Sequence, residues 1–319
     1  MRIERNQGFG RLAPMAFTGL LVVSVAACGG STAAAVRPSV EAPAATDAAT
    51  TPVDPGLPSK APSSATVTTV DVGKEAWFAG FHVTFGTATA EMKSGHGTVE
   101  IEATFENTGD DSSRLDATIS LVSAGETAQE GITQDIPSVP GGGSNKGVFA
   151  FYVDDTFSFD DAILSLGQPA IQKAVIPLKG GADQAISLEP VKVTVSGSGK
   201  AGDLRVDLAG GEYRADSPWK HGQQKKGTLV LTIDYSATFN SGFAGGFAFT
   251  GENVALKLPD GSTTGAIQDG QSQSNELIGP NSTKKDLLSR FEIEDPAAGS
   301  YVLLVREGNA TGEIPFTIG

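Results

Sequence analysis

Apolar and polar residues alternate one by one along much of this chain, a pattern typical of β-strands with one buried and one solvated face. The alternation is strict in residues 99–105 and is broken in 229–235 at Val230 alone. Shorter extended runs, separated by turn residues, are 81–85, 118–122, 148–153, 163–166, 191–195, 204–208, 254–258, 287–293 and 301–305. No segment shows a long apolar stripe with the 3.6-residue period of a helix. From Val67 onward, the sequence therefore predicts an all-β fold.

The order of these runs repeats once. In each half an extended run and a nearby tryptophan, Trp77 or Trp219, come before the long alternating strand. An amphipathic strand, a polar turn, an aromatic-aliphatic strand with an acidic end and a closing strand follow in both halves. We predict two tandem antiparallel β-sandwiches, residues 67–183 and 190–319, because each range has the usual size of a domain with one core.

One stretch carries a family resemblance. Residues 99–109 read Val-Glu-Ile-Glu-Ala-Thr-Phe-Glu-Asn-Thr-Gly and follow an Ala-Trp-Phe-Ala-Gly-Phe-His-Val-Thr-Phe opening at 76–85. This arrangement resembles the immunoglobulin-like (telokin-like) domain of secreted actinobacterial antigens and bacterial lipoproteins, where such a strand leads into an Asn-Thr turn. The resemblance covers 67–178 well and 190–319 loosely, since Asn107 has only Asn240 as an approximate counterpart.

The resemblance implies two immunoglobulin-like sandwiches on a bacterial surface, in a family that usually has no known enzymatic activity. A fold does not by itself fix a function. The resemblance therefore gives an expected architecture and location, and no specific partner.

The N-terminus has the three parts of a secretory signal. Arg2, Arg5 and Arg11 precede an apolar stretch, 12–27, that closes on small residues. This stretch is shorter than the roughly 20 apolar residues of a spanning helix, and no stop-transfer cluster of charges follows it. We predict that residues 1–27 are a signal peptide that is removed.

The signal ends in Val25-Ala26-Ala27-Cys28, which resembles the lipobox of bacterial lipoproteins. In that motif a peptidase cleaves before the cysteine, whose sulfur carries diacylglycerol. Cys28 is the single cysteine of the chain and directly follows the signal core, which argues against burial as a small apolar residue. We predict cleavage between Ala27 and Cys28, and fatty acyl chains such as palmitate that anchor Cys28 at the extracytoplasmic face of the cell membrane.

Residues 28–66 consist mainly of Ala, Pro, Thr, Ser and Val. Such a segment has almost no large apolar side chains to bury, so we predict a disordered stalk between the anchor and the folded part.

The acidic composition restricts the partners. A net charge of −14 repels nucleic-acid phosphates and anionic lipid headgroups, so we predict no nucleic-acid partner and a membrane attachment that depends on the lipid. Without a second cysteine, neither a disulfide framework nor a thiol nucleophile is available to the folded part.

The sequence shows no catalytic constellation. The three histidines, His82, His96 and His221, lie outside zinc-protease and nucleophile-elbow motifs. We interpret His82 as a surface or structural residue of a strand, and the other two as turn residues. The segment 197–201, Gly-Ser-Gly-Lys-Ala, lacks the first glycine and the Ser/Thr of a phosphate loop, which predicts a hairpin or interdomain turn. We predict no enzymatic activity and no cofactor.

Paired aspartates at 110–111, 154–155 and 160–161 offer oxygen ligands for Ca²⁺. No calcium-loop motif accompanies them, so we interpret them as solvated turns and predict no metal site.

A glycine-rich connection, 239–249, contains Phe243, Phe247 and Phe249. Two interpretations stay open: an exposed apolar patch for a partner or lipid, or a small satellite core under the sandwich edge. The local basic cluster of Lys220, His221, Lys225 and Lys226 is interpreted as a solvated loop rather than an anion site.

These features predict a membrane-anchored surface lipoprotein that acts as a non-catalytic module binding a protein or envelope partner. One alternative is a lipid or small-ligand carrier, which requires an apolar cavity between the sheets. A second is an envelope hydrolase or its accessory subunit, which requires convergent carboxylates or a histidine in a cleft. The link 184–191 contains one proline, and its shortness predicts some packing between the two sandwiches.

Overall fold

Strands form almost all of the regular structure of the chain. The computed structural model describes residues 64–123, 129–130, 133–269 and 276–319, and for 129, 130, 133 and 134 it describes the backbone alone. Within these ranges the helical elements are three short 3-10 helices, Ala182–Gln184, Pro218–Lys220 and Gly251–Asn253. The all-β prediction is confirmed.

The first half of the described chain forms two antiparallel sheets. One has five strands in the order β1-β2-β3-β9-β7, the other has four in the order β11-β10-β5-β6, and β4 pairs with β8 at the side. The strands are β1 Thr66–Phe78, β2 Phe81–Lys93, β3 His96–Asn107, β4 Ser113–Arg114, β5 Ile119–Val122, β6 Gln129–Glu130, β7 Thr133–Asp135, β8 Ser138–Val139, β9 Ser144–Asp154, β10 Ile163–Leu166 and β11 Ala174–Pro177.

The second half repeats this plan. Its five-stranded sheet has the order β12-β14-β17-β22 with β13 also paired to β14, its four-stranded sheet has the order β20-β19-β23-β24, and β15-β16 and β18-β21 are small two-stranded additions. The strands are β12 Val191–Val193, β13 Gly197–Ala201, β14 Leu204–Arg214, β15 Asp216–Ser217, β16 Gly222–Gln223, β17 Thr228–Phe239, β18 Phe247–Phe249, β19 Val254–Lys257, β20 Thr263–Gly265, β21 Glu276–Ile278, β22 Ser282–Glu294, β23 Gly299–Glu307 and β24 Ala310–Ile318.

The repeat seen in the sequence is present in the sheets. The neighbours β2-β3-β9 correspond to β14-β17-β22, and the series β11-β10-β5-β6 corresponds to β24-β23-β19-β20. Both halves are therefore antiparallel sandwiches that share the order of these strands, whereas β7 of the first half has no counterpart beside β22 among the described residues. The immunoglobulin-like assignment stays a prediction.

Each sandwich closes on its own core. Phe85 and Ile101 of the five-stranded sheet pack with Leu164 of the four-stranded sheet in the first core, and Leu231 packs with Leu303 across the second. Burying a side chain of this size stabilises the fold by about 1.5–3 kcal/mol. The predicted ranges 67–183 and 190–319 each contain one of these cores.

The link between the sandwiches is packed against both of them. Leu188 contacts both cores, and the backbone N–H of Trp77 donates to the Ser187 carbonyl at 2.7 Å. The described residues, from 64 onward, accordingly belong to one compact unit.

Of the two alternatives predicted for Gly197–Ala201, the structure has the hairpin and not the interdomain turn. It is strand β13, which forms a tight hairpin with β14 through Gly202 at φ 59°. An ideal Cβ on Gly199 would lie 2.6 Å from a side-chain carbon of Ile314 in β24, so a glycine allows β13 to cover that strand.

The N-terminal predictions fall on residues that the structure leaves undescribed. The signal peptide, Ala27, Cys28 and the stalk up to residue 63 lie outside the described ranges, while Thr66, assigned to the stalk by composition, is the first residue of β1. Among the described residues, no helix has both the length and the apolar character needed to cross a membrane.

Candidate functional site

A short inserted hairpin distinguishes the second sandwich from the first. The corresponding strands β2 and β3 are joined by Ser94-Gly95, whereas β14 and β17 are joined by residues 215–227. Within this connection β15 pairs with β16, and between them lies the 3-10 helix Pro218–Lys220, which starts on a proline and ends at His221 with φ 47°. We call residues 215–224 the wedge.

The wedge covers the outer face of its own sheet. The guanidinium carbon of Arg290, in β22, lies 3.8 Å from the ring centroid of Trp219. Arg290 is only 8% exposed although its strand position faces away from the core, because the wedge lies over it. Its Nη1 also donates to Asp269 at 3.0 Å, which holds the planar group in place.

Asp216 of the wedge connects the two sandwiches. Its Oδ2 accepts the backbone N–H of Gly80, from the first sandwich, at 2.8 Å. Arg214 Nε donates to Oδ1 at 2.8 Å, and Arg214 Nη1 donates to Glu212 at 3.2 Å. Burial alone would lower the pKa of Arg214, but the hydrogen bonds and charges of Asp216 and then Glu212 raise it. We call this arrangement of Arg214, Asp216 and Gly80 the clamp.

Further hydrogen bonds join the wedge to the first sandwich. The Ala79 N–H donates to Gln223 Oε1 at 2.9 Å, and the Gln172 N–H donates to the Gln224 carbonyl at 2.8 Å. An ideal Cβ on Gly109 would lie 2.7 Å from the Pro218 carbonyl oxygen, so this close approach requires glycine. The wedge is therefore docked against the end of the first sandwich.

A cleft of about 340 Å³ opens where the wedge meets the first sandwich. The first sandwich supplies the turn Thr108-Gly109-Asp110. Pro218 and Trp219 of the wedge form a second wall. The remaining lining side chains belong to the outer face of the second sandwich, and they are Glu212, Arg214, Thr232, Asp234 and Arg290.

The strand register explains this set. Glu212, Thr232 and Arg290 are direct cross-strand neighbours on β14, β17 and β22. Asp234 lies two residues further along β17, opposite Gly210, where β14 contains a bulge. Because no atom lies within 4 Å of an ideal Cβ on Gly210, the sheet has open space beside Asp234.

Asp234 is the cleft carboxylate with the fewest hydrogen-bond and ion-pair partners among the described residues. Its side chain is exposed and forms no hydrogen bond or ion pair with the described residues. The surrounding strands nevertheless withdraw part of its hydration, which raises its pKa, while the positive charge of Arg290 opposes that shift. Thr232 also has no hydrogen-bond partner for its hydroxyl among the described residues. Both side chains are available to a ligand.

Three polar atoms of the wedge are buried without a partner among the described residues: Trp219 Nε1, His221 Nδ1 and Gln223 Nε2. Buried polar atoms are usually paired, so docking leaves the wedge less completely hydrogen-bonded than a sandwich core.

The cleft was not predicted from the sequence. Lys220, Lys225 and Lys226 are exposed, as a solvated loop requires, but His221 is half-buried, and its ring centroid lies 6.2 Å from that of Phe81. One local sequence feature could have indicated the wedge. In Asp216-Ser217-Pro218-Trp219, a proline that can start a helix stands beside a large aromatic residue, within a segment that otherwise resembles a solvated turn.

Of the two interpretations of the three phenylalanines, the exposed patch does not apply to Phe249, whose burial agrees with a satellite core. That side chain is fully buried, with its ring centroid 6.0 Å from that of Tyr235. Phe247 is half-buried and stacks on Phe239 at 5.5 Å, whereas Phe243 is 66% exposed. Pairing of β18 with β21 explains the difference, because alternation points Phe247 and Phe249 toward the core and Ala248 outward.

The remaining histidines lie away from the cleft lining. His82 is hydrogen-bonded between Glu75 and Glu106, both at 3.1 Å, and its ring stacks on Trp77 at 4.3 Å. His96 is not a turn residue: it is the first residue of β3, paired with Lys93, because Ser94-Gly95 alone form the turn.

Asp154, Asp160 and Asp161 of the aspartate pairs have partners within the protein. Hydrogen bonds from the Thr156 side chain and backbone lower the pKa of Asp154. Asp160 pairs with Lys179 at 2.6 Å, and Asp161 accepts from Ser123 at 2.9 Å. Within the described residues, no group of three or more His, Cys, Asp or Glu side chains is placed to hold a metal ion.

Comparisons with known proteins add little to this geometry. No family model and no curated protein matches the chain. A conserved hypothetical protein from Bacillus anthracis is similar at 15% identity over 31% of this chain and 89% of its own, with a TM-score of 0.26. A conserved domain protein from the same organism is similar at 12% identity over 78% of this chain and 90% of its own, with a TM-score of 0.24. TM-scores this low support no conclusion.

Proposed function

We propose that this chain is a membrane-anchored surface lipoprotein whose cleft binds an extracytoplasmic ligand without catalysing a reaction. The lipobox residues Ala27 and Cys28 support the anchor and the location. The observation that supports binding is the side-by-side arrangement of Asp234 and Thr232, which lack partners among the described residues, in a cleft of about 340 Å³. That volume lies at the lower end of the roughly 300–1,000 Å³ typical of small-molecule sites.

The carrier alternative has weaker support. A cavity lined by Val70, Met92, Phe157 and other residues has about 260 Å³, which is below the roughly 300 Å³ at which ligand sites usually begin. Another cavity has about 360 Å³, but the charged residues Glu102, Asp135 and Lys146 belong to its lining, which does not suit a hydrocarbon.

The hydrolase alternative retains one supporting observation. Asp234, whose pKa is raised, and Glu212 line the same cleft, and a pair of carboxylates in different environments can serve as acid and base. Glu212 is, however, hydrogen-bonded to Arg214, which restrains it as a catalytic group. We therefore place binding first and test turnover directly.

The anchor is tested by comparing the wild type with Cys28→Ala in membranes of a bacterial host that processes lipoproteins. We expect the wild type to start at Cys28, to carry acyl chains and to partition into detergent. The variant should stay unacylated and not be cut before residue 28. An unacylated wild type that keeps residues 1–27 would overturn both the anchor and the location.

Binding at the cleft is tested by photo-crosslinking on cells. A photo-reactive residue replaces Lys220, an exposed neighbour of Trp219, and in a matched variant it replaces Lys257, an exposed lysine of β19 outside the cleft lining. We expect a reproducible adduct from position 220 that weakens when Asp234→Asn is added, and none from position 257. Equal adducts from both positions would contradict the proposal.

A further inference from the structure

We propose that the ligand of the cleft is a neutral saccharide unit, held by the carboxylates and hydroxyl of the β14–β17 face against the wall formed by Pro218 and Trp219. This inference rests on the proposed function and adds the chemical class of the ligand.

The lining is mostly polar. Its apolar side chains are Pro218 and Trp219, while Thr108, Asp110, Glu212, Thr232 and Asp234 present oxygen atoms. A ligand for such a surface must supply many hydrogen-bond donors, because burying unpaired carboxylate and hydroxyl oxygens is costly. A hydrocarbon or fatty acyl chain does not meet this requirement.

The charge pairing disfavours an anion. Each guanidinium in the lining already forms an ion pair with a carboxylate, Arg214 with Asp216 and Arg290 with Asp269. Both oxygens of Asp234 remain available and would repel a phosphate or carboxylate.

The same arrangement is satisfied by hydroxyl groups without a cation. Because Arg214 and Arg290 are already paired with carboxylates, Asp234 is the group that would attract a cation, and putrescine tests that alternative directly. A saccharide hydroxyl carries no charge, donates to Asp234 and Glu212, and can accept from Thr232, whose hydroxyl both donates and accepts. The carboxylate–hydroxyl pair is therefore matched to vicinal hydroxyls.

The shape supports the same ligand class. The bulge opposite Asp234 places Gly210 where a side chain would otherwise stand, which leaves open space beside the carboxylate. Pro218 and the part of Trp219 that the Arg290 guanidinium does not cover give this side of the cleft a small apolar surface, and a pyranose ring presents carbon-bound hydrogens as well as hydroxyls. A ligand with one apolar face and several donors fits both sides of the cleft.

The test uses the acylated full-length protein in detergent and ligand-observed NMR. The saccharide probes are the methyl glycosides of D-mannose, D-glucose, D-galactose and L-arabinose; putrescine serves as the cationic probe and citrate as the anionic probe. We expect saturable binding of at least one glycoside. Asp234→Asn should weaken it by about tenfold or more and Thr232→Val by several-fold, as expected for hydrogen bonds to charged and neutral groups. Glu100→Gln, an exposed acid on the outer face of β3, should leave affinity within about twofold, as a surface change outside the site should.

The outcomes separate the ligand class from the function. Glycoside binding that is insensitive to Asp234→Asn and Thr232→Val, binding of putrescine or citrate alone, or no binding of any probe would each overturn the saccharide inference. An Asp234-dependent crosslink from position 220 would still support the binding function in those cases. Cleavage of a bound glycoside, lost in Asp234→Asn, would instead contradict the non-catalytic proposal and leave the saccharide class supported.

Discussion

Phe243 and Phe249 show how strongly one strand pairing changes the environment of similar side chains. Phe249 is fully buried in the second core, and Phe243 is 66% exposed on the adjoining turn. Phe249→Ala should destabilise the protein by about 3–5 kcal/mol, because it removes a large buried side chain and leaves a cavity. Phe243→Ala should change stability by no more than about 0.5 kcal/mol. Urea unfolding of the two variants provides the comparison, and equal losses would contradict the assigned burial.

Asp234 and Asp154 should respond to pH with opposite signs. Partial desolvation raises the pKa of Asp234, so its contribution to stability is present below the unfolded-state pKa and is lost as the pH rises through the folded-state pKa. Asp234→Asn cannot ionise and should be more stable than the wild type at neutral pH, with the difference disappearing in acid.

Asp154 has a lowered pKa because Thr156 donates to it, so its contribution is present above the unfolded-state pKa and is lost as the pH falls through the folded-state pKa. Asp154→Asn should therefore be less stable than the wild type at neutral pH, and the gap should close in acid. Urea midpoints measured from pH 7 to pH 3 test both signs. Differences of the same sign for the two variants would contradict one of the assigned environments.

At the scale of elements, the wedge makes a steric prediction about docking. Gly109 faces the Pro218 carbonyl with no room for a Cβ, whereas Gly86, in the bulge of β2, has ordinary space at 3.7 Å. Gly109→Ala should cost about 1–3 kcal/mol, as overpacking usually does, and Gly86→Ala should have a much smaller effect. Tryptophan fluorescence during unfolding is a suitable measurement, because Trp77 and Trp219 report on different sandwiches. A Gly109→Ala protein as stable as Gly86→Ala would contradict the close contact.

The strands were predictable because their signal is local. Alternation in 99–105 and 229–235 already defines which face of β3 and β17 is buried, since successive side chains of a strand point to opposite sides. The wedge was not predictable in the same way. Its contacts join Asp216 to Gly80 and Trp219 to Arg290, and such long-range pairs leave no periodic pattern in the sequence. Individual cleft residues such as Asp234 occupied ordinary solvated positions of an alternating strand.

For the whole molecule, the repeated strand order and the inserted connection 215–227 have different consequences. The shared strand order of the two sandwiches could be anticipated from the order of the runs. The cleft arises where the copies differ, because the two-residue turn Ser94-Gly95 of the first sandwich is replaced by residues 215–227 in the second. A copy of the first sandwich in place of the second would have neither the wedge nor the clamp. The binding site that we propose therefore requires both sandwiches.

Strand β1 has a mechanical consequence. At about 3.3 Å per residue, its 13 residues extend over roughly 40 Å, from Thr66 to the turn in which Ala79 and Gly80 donate to the wedge. If the chain is tethered at Cys28, as we propose, any pull between the membrane and an occupied cleft enters the folded part at Thr66. The tension then follows β1 directly to the clamp, and the ladder between β1 and β2 shares it along most of that length. The strand that carries the load thus ends at the contacts that shape the cleft.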